Sequence, residues 1–272
     1  MKKTVVITGS TSGIGKELVN QFDCEDYVVF CGYRNAQKLD KDLSSNLIPF
    51  YIDMTDRNSI AEAAEFIKSA TDKIDILINV AGAVVAGPIE LLDVDRLKYQ
   101  FDINVFSHID FSQKLVDLLR GGRIVNISSM SSFGNFPFIS PYCASKRALD
   151  IFFNALSVEN HKNIDVISVK PGVISTPIWE KSVESNLKAI TECADYEAEM
   201  NFIKDNALKS SDKGLDVVIA AKRIKQIALL KSPKSSYTIG KDAKFAQILS
   251  YLPQSLVNKL VKFALKLRMS KS

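Results

Sequence analysis

The sequence predicts an α/β protein of doubly wound type: a seven-stranded parallel sheet flanked by helices, with a helical extension at the C-terminal end. Three observations carry that expectation. Short β-branched runs alternate with longer stretches of helical periodicity, the rhythm of repeated βαβ units. The runs are almost continuously apolar, as strands covered on both faces require. The first run also ends in a glycine-rich turn that opens a helix, Thr8-Gly9-Ser10-Thr11-Ser12-Gly13-Ile14-Gly15.

Strands are expected at 4–8, 27–31, 47–52, 74–80, 122–128, 165–170 and 236–239. Right-handed crossovers then line the carboxyl ends of the strands along one crevice, where every chemical motif should open. Two regions break the rhythm. Residues 173–214 form a long, partly helical excursion carrying Trp179, and a segment of that length reads as a substrate loop. Residues 241–272 continue past the last strand, with Pro253 separating two helical stretches. No Gly-, Pro- or Ser-rich linker divides the 272 residues, so a single domain over 1–272 is expected.

Hydrophobic residues at 46% against 24% charged exclude a disordered or fibrous chain. A net charge of +4 is modest and calls for no nucleic-acid partner, although Lys259, Lys262, Lys266, Arg268 and Lys271 crowd the end of the chain. Cys24, Cys31, Cys143 and Cys193 form no CxxC pair, and His108 and His161 lie far apart in sequence. No metal site is expected, and a reducing, cytoplasmic setting is. The opening MKKTVVITGS is too short for a secretory signal, and no window approaches the roughly 18–20 apolar residues of a membrane span.

In the first turn, glycines let the backbone approach a diphosphate, whose charge is favoured by the free N–H groups and dipole of a helix N-terminus. Gly9, Gly13 and Gly15 give the spacing GxxxGxG rather than the more familiar dinucleotide GxGxxG. At the end of the second strand, Phe30-Cys31-Gly32-Tyr33-Arg34-Asn35 carries no carboxylate for ribose hydroxyls. Arg34 instead offers a guanidinium, which pairs bidentately with a 2′-phosphate and stacks on adenine. NADP is thus expected as cofactor, with NAD the second reading.

Tyr142 and Lys146 stand one helical turn apart, so both side chains share a face. A tyrosine, with an ordinary pKa of about 10, needs a nearby cation to act as an acid–base group near neutrality. Thirteen positions earlier Ser129 follows the fifth strand, with Ser128 as the alternative beside it, and Asn104 precedes both.

These motifs, in this order, resemble the short-chain dehydrogenase/reductase family, in the subfamily whose turn reads TGxxxGIG, over nearly the whole chain to about Gly240. The resemblance implies a Rossmann-type fold and an oxidoreductase that moves hydride between a nicotinamide and a carbonyl or secondary alcohol. It implies that Gly9, Ser10, Ser12, Gly13, Ile14 and Gly15 hold the cofactor, with Asp53 and the adjoining Met54 at the adenine. Asn79-Val80-Ala81-Gly82 looks like the family's NNAG with valine in second place, which leaves Asn79, Ala81 and Gly82 as cofactor contacts. It assigns Asn104, Ser129, Tyr142 and Lys146 to catalysis, with Tyr142 and Lys146 also touching the cofactor. Pro171-Gly172-Val173-Ile174-Ser175-Thr176 matches the PGxxxT that orients the nicotinamide carboxamide, through Pro171, Gly172, Ile174 and Thr176.

The extended tail looks more like hydroxysteroid and retinol dehydrogenase relatives than like acyl-carrier-protein ketoreductases, pointing to a hydrophobic alcohol or ketone of steroid, retinoid or lipid type. Its amphipathic pattern is read first as helices packed on the domain or on another subunit, and second as a peripheral membrane contact. A homodimer or homotetramer is implied by the resemblance. The alternative to an enzyme is a non-catalytic dinucleotide-sensing or scaffold protein on the same fold; an epimerase or lyase on the same sheet is a further one.

Overall fold

The computed structural model describes residues 2–40, 42–159, 161–191 and 194–269, with side chains at all of these except 184, 187–191, 194, 210–212 and 267–269. Cys193 and Lys271, and the side chain of Arg268, lie outside the described residues. Seven strands form one parallel sheet in the order β3-β2-β1-β4-β5-β6-β7. They are β1 (Lys3–Ile7), β2 (Tyr27–Tyr33), β3 (Leu47–Tyr51), β4 (Ile76–Asn79), β5 (Arg123–Ile127), β6 (Asp165–Pro171) and β7 (Ser236–Ile239). All seven expected strands form. β4 is shorter than the expected 74–80 because Ile74 and Asp75 donate their N–H groups to Leu118 and Thr4 before the strand ladder begins.

The alternation of side chains along each strand explains the unbroken apolar runs. Val5 and Ile7 face one side, where α1 (Gly13–Phe22) and α8 (Val217–Ala228) cover them with Leu18, Phe22, Ala221 and Ile224. Val6, Leu77 and Ile124 face the other, under α2 (Arg57–Ala70), α4 (Ser107–Leu115) and α5 (Ser140–Glu159), which supply Ile67, Phe111, Leu115, Leu149 and Phe153. The strand order reverses between β1 and β4, so the crevice at the carboxyl ends of these two strands is where a dinucleotide fits.

The excursion folds as two helices packed on one another, α6 (Ile178–Thr191) and α7 (Glu197–Lys213). Asn186, almost wholly buried, fastens α6 to the loop after β4: Ala86 N donates to its Oδ1 at 3.1 Å, and its Nδ2 donates to Val84 O at 2.9 Å. Beyond β7, α9 (Lys241–Leu249) and α10 (Gln254–Met269) form the expected extension, divided at Pro253. The remaining helix, α3 (Val94–Phe101), runs into α4 through a π-helical turn at Asp102–Phe106.

Candidate active site

The glycine turn has the backbone shape its composition demands. Gly9 and Gly13 adopt positive φ of 67° and 52°, which side chains with a Cβ rarely accept. At Gly15 a Cβ would overlap the carbonyl oxygen of Gly9, so the first turn of α1 closes tightly against the strand end. Thr8 ties this turn to its neighbour, since its Oγ1 accepts from Val80 N at 3.0 Å and from Ala81 N at 3.2 Å. Ser10 donates through both N and Oγ to Gly32 O, each at 2.9 Å. Ile14 packs against the core, and Ser12 precedes the first residue of α1 without a side-chain capping bond, its hydroxyl instead accepting from Lys181 Nζ at 3.2 Å. A cation from α6 therefore stands at the turn, although the turn's own sequence has none.

Arg34 is exposed at the end of β2 and makes no ion pair among the described residues. Asp53 Oδ1 closes a local turn by accepting from Thr55 N at 2.9 Å and Thr55 Oγ1 at 2.7 Å. The Met54 side chain joins the core, so only its backbone is available to a ligand. Asn79 is buried, with Nδ2 donating to Asn126 Oδ1 at 2.8 Å. These bonds hold the end of β4, where Ala81 presses on Gly9.

Asn104 and Lys146 converge on Gly82, which follows that strand end. A Cβ built on Gly82 would lie 3.1 Å from Asn104 Oδ1 and 3.8 Å from Lys146 Nζ. The π-helical turn places Asn104 there; such turns are rare and concentrate at functional sites. Its side chain accepts from Ala83 N at 2.9 Å and donates to Ala83 O at 3.1 Å and Ser145 Oγ at 3.0 Å. Lys146 Nζ donates to Ile127 O at 2.8 Å and stands 5.8 Å from the centre of the Tyr142 ring. Both residues are buried on one face of α5.

Burial is the main force on their ionisation. It pushes the Tyr142 hydroxyl up to about 12, with a hydrogen bond from Ser129 working in the opposite direction. It pulls the Lys146 ammonium down to about 8, partly offset by the Asp150 carboxylate one turn further along α5. His108, fully buried beside Lys146, is held down to about 3 by burial first and by that lysine second, with its Nε2 bonded to Ala81 O at 2.8 Å. Of the two serines after β5, the structure brings Ser129 to Tyr142. Its Oγ accepts from Ser131 N at 3.1 Å, whereas Ser128 N serves the sheet by donating to Val169 O at 2.8 Å.

The segment after β6 completes the crevice. Thr176 lies where a Gly13 side chain would stand, and Ile174 pairs with Leu215 as an isolated bridge. Gly172 faces Asp242 so closely that a Cβ there would overlap the carboxylate, and Val173 N donates to Asp242 Oδ2 at 2.7 Å. Trp179, at the head of α6, meets the Tyr142 ring edge-on at 6.3 Å. From Ser129 outward opens a cavity of about 610 Å³, walled by Phe133, Trp179, Val183, Phe202, Leu249 and Val261 among others. His108, Asp150, Lys181, Asn186 and Asp242 carry no sequence motif; only their neighbours in space reveal them.

The family model for short chain dehydrogenases matches residues 3–187. The NADPH-dependent 3-dehydrocapnine reductase of Ornithobacterium rhinotracheale is 28% identical over 271 residues, covering 94% of each chain. The NADPH-dependent 1-acyldihydroxyacetone phosphate reductase of Schizosaccharomyces pombe is 31% identical over 211 residues, covering 75% of this chain and 71% of its own. Among solved structures, a short chain dehydrogenase from Burkholderia cenocepacia in complex with NADP superposes with a TM-score of 0.74 at 23% identity, covering 95% and 97% of the two chains.

Proposed function

We infer that this chain, which belongs to the short-chain dehydrogenase/reductase family and is an oxidoreductase acting on CH–OH groups with NAD(P), uses NADP(H) to interconvert a ketone and a secondary alcohol on a hydrophobic substrate. One observation carries the reading: Ser129, which lines a large apolar cavity, hydrogen-bonds Tyr142, and Lys146 stands beside the Tyr142 ring. Cavities of this size and lining take steroid-, retinoid- or lipid-sized molecules. The relatives named for NADPH, and Arg34 where a ribose-binding acid would otherwise stand, support NADP over NAD.

The residues present fit a dinucleotide: the glycine turn at the start of α1 would hold its diphosphate, the exposed Arg34 its adenosine end, and Thr176 and Tyr142 its nicotinamide end. The bound nicotinamide supplies or accepts the hydride at C4. The chain supplies position and the proton. Ser129 Oγ and Tyr142 OH grip the substrate oxygen; in reduction Tyr142 gives that oxygen its proton, and in oxidation it takes one away. Lys146, cationic below about 8, stabilises the phenolate left behind. Asn104, which like the lysine approaches Gly82, fastens the neighbouring loop at Ala83 and so fixes this side of the site. The α6–α7 excursion acts as the substrate loop, with Trp179 closing over the tyrosine. A homo-oligomer has a candidate surface in exposed Phe106, Ile151, Phe152 and Val158 on the α4–α5 side.

The test is NADPH oxidation, with NADH in parallel, against steroid, retinoid and long-chain aliphatic ketones. Turnover lost in Tyr142→Phe with NADPH affinity retained is the expected result. Retained turnover in that variant, or tight NADPH binding with no turnover across the panel, overturns the reading.

A further inference from the structure

The extension after β7 presents two apolar faces. Toward the interior, Leu249, Val257, Val261 and Leu265 wall the cavity. Toward the outside, Ile248, Tyr251, Leu256, Leu260 and Phe263 stand in solvent, Tyr251 at 78% and Phe263 at 62% exposure. The spacing explains the second face: Leu256, Leu260 and Phe263 recur every three to four residues and form one stripe along α10, and Ile248 is exposed on α9. A contiguous exposed apolar surface on a folded chain marks a contact site.

Charge decides what the contact is. Residues 241–266 contain five lysines, Lys241, Lys244, Lys259, Lys262 and Lys266, and one acid, Asp242. That acid accepts from Val173 N, and it and the lysines are exposed, so cations outnumber it five to one. On α10 the lysines run beside the apolar stripe. A second copy docking by two-fold symmetry would set this patch against itself, lysines toward lysines, which repel. An anionic lipid surface meets both properties at once, taking large apolar side chains into its acyl boundary and lysines among its head groups.

We propose that the outer face of α9 and α10 docks the protein on an anionic phospholipid bilayer. No helix among the described residues is long and apolar enough to cross a membrane, so the contact is peripheral. The helix pair would then separate the membrane from the cavity by its own thickness. That arrangement suits a substrate that itself resides in lipid, and in this respect the inference rests on the proposed function; the docking does not.

The test is flotation of the full chain with vesicles of phosphatidylglycerol and phosphatidylcholine in equal parts, and with phosphatidylcholine alone. The wild type should float with the anionic vesicles and release at high salt. Ile248→Glu/Phe263→Glu and Lys259→Glu/Lys262→Glu should each lose about tenfold in binding, with melting temperature and turnover of a short water-soluble ketone unchanged. Equal flotation of wild type and both variants overturns the proposal, as does wild-type flotation that ignores lipid charge. Failure to float, with Ile248→Glu/Phe263→Glu converting a dimer to a monomer in sedimentation velocity, overturns it in favour of a second copy. Flotation is read without turnover, so an inactive preparation still tests the docking.

Discussion

Asp150 Oδ2 lies 3.1 Å from Lys170 Nζ, and the two side chains are 2% and 8% exposed, one turn of α5 beyond Lys146. The carboxylate thus faces two lysines, one in β6 and one in the active site, and it raises the ionisation of Lys146 against the pull of burial. Asp150→Asn should move the alkaline limb of the reduction rate to lower pH, because Lys146 is cationic only below its pKa of about 8 and would lose its proton earlier. The same change strands the Lys170 charge, at a cost of about 3–5 kcal/mol in urea unfolding. A destabilised variant with an unmoved pH limb would make Asp150 purely structural.

His108 should govern part of the acid stability. Its native value of about 3 lies below the ordinary 6.5, so between these limits the unfolded chain takes up a proton that the native one refuses. The stability that His108 contributes is complete above 6.5 and is lost as pH falls toward 3, by about 1.4 kcal/mol per unit at the steepest. His108→Gln should flatten that slope in denaturant melts between neutral and acid pH. An unchanged slope would remove His108 from the account.

Arg34 should discriminate between the two dinucleotides. With charge-assisted bidentate bonds lost, Arg34→Ala should raise the KM for NADPH by roughly 10–100-fold and leave NADH almost unaffected. Equal losses with both cofactors would place Arg34 elsewhere than at a 2′-phosphate.

Gly172 and Asp242 should be coupled. Gly172→Ala forces its Cβ onto the Asp242 carboxylate and breaks the bond from Val173 N, lowering stability by about 1–3 kcal/mol. The double variant Gly172→Ala/Asp242→Ala removes the clash and should be less destabilised than the sum of the two single changes, as a double-mutant cycle by thermal melting would show.

The seven strands, the glycine turn, the Tyr142–Lys146 pair and the break at Pro253 were legible in the sequence because each is written locally, in the alternation of a strand, the backbone freedom of glycine, one turn of helix or the lost N–H of proline. The motif order also pointed to Ser129 ahead of Ser128, and the turn of the chain after β5 is what brings Ser129 rather than its neighbour to Tyr142. Lys181 reaches Ser12 across 169 residues, Asp242 reaches Val173 across 69, and Asp150 meets Lys170 from a different element. Such contacts are set by the crossovers that bring distant strand ends to one crevice, and no periodicity within a short window encodes them. The cavity belongs to the same class: its apolar side chains read simply as core or amphipathic helix, and only the packing of α6, α7, α9 and α10 around Ser129 leaves the space between them.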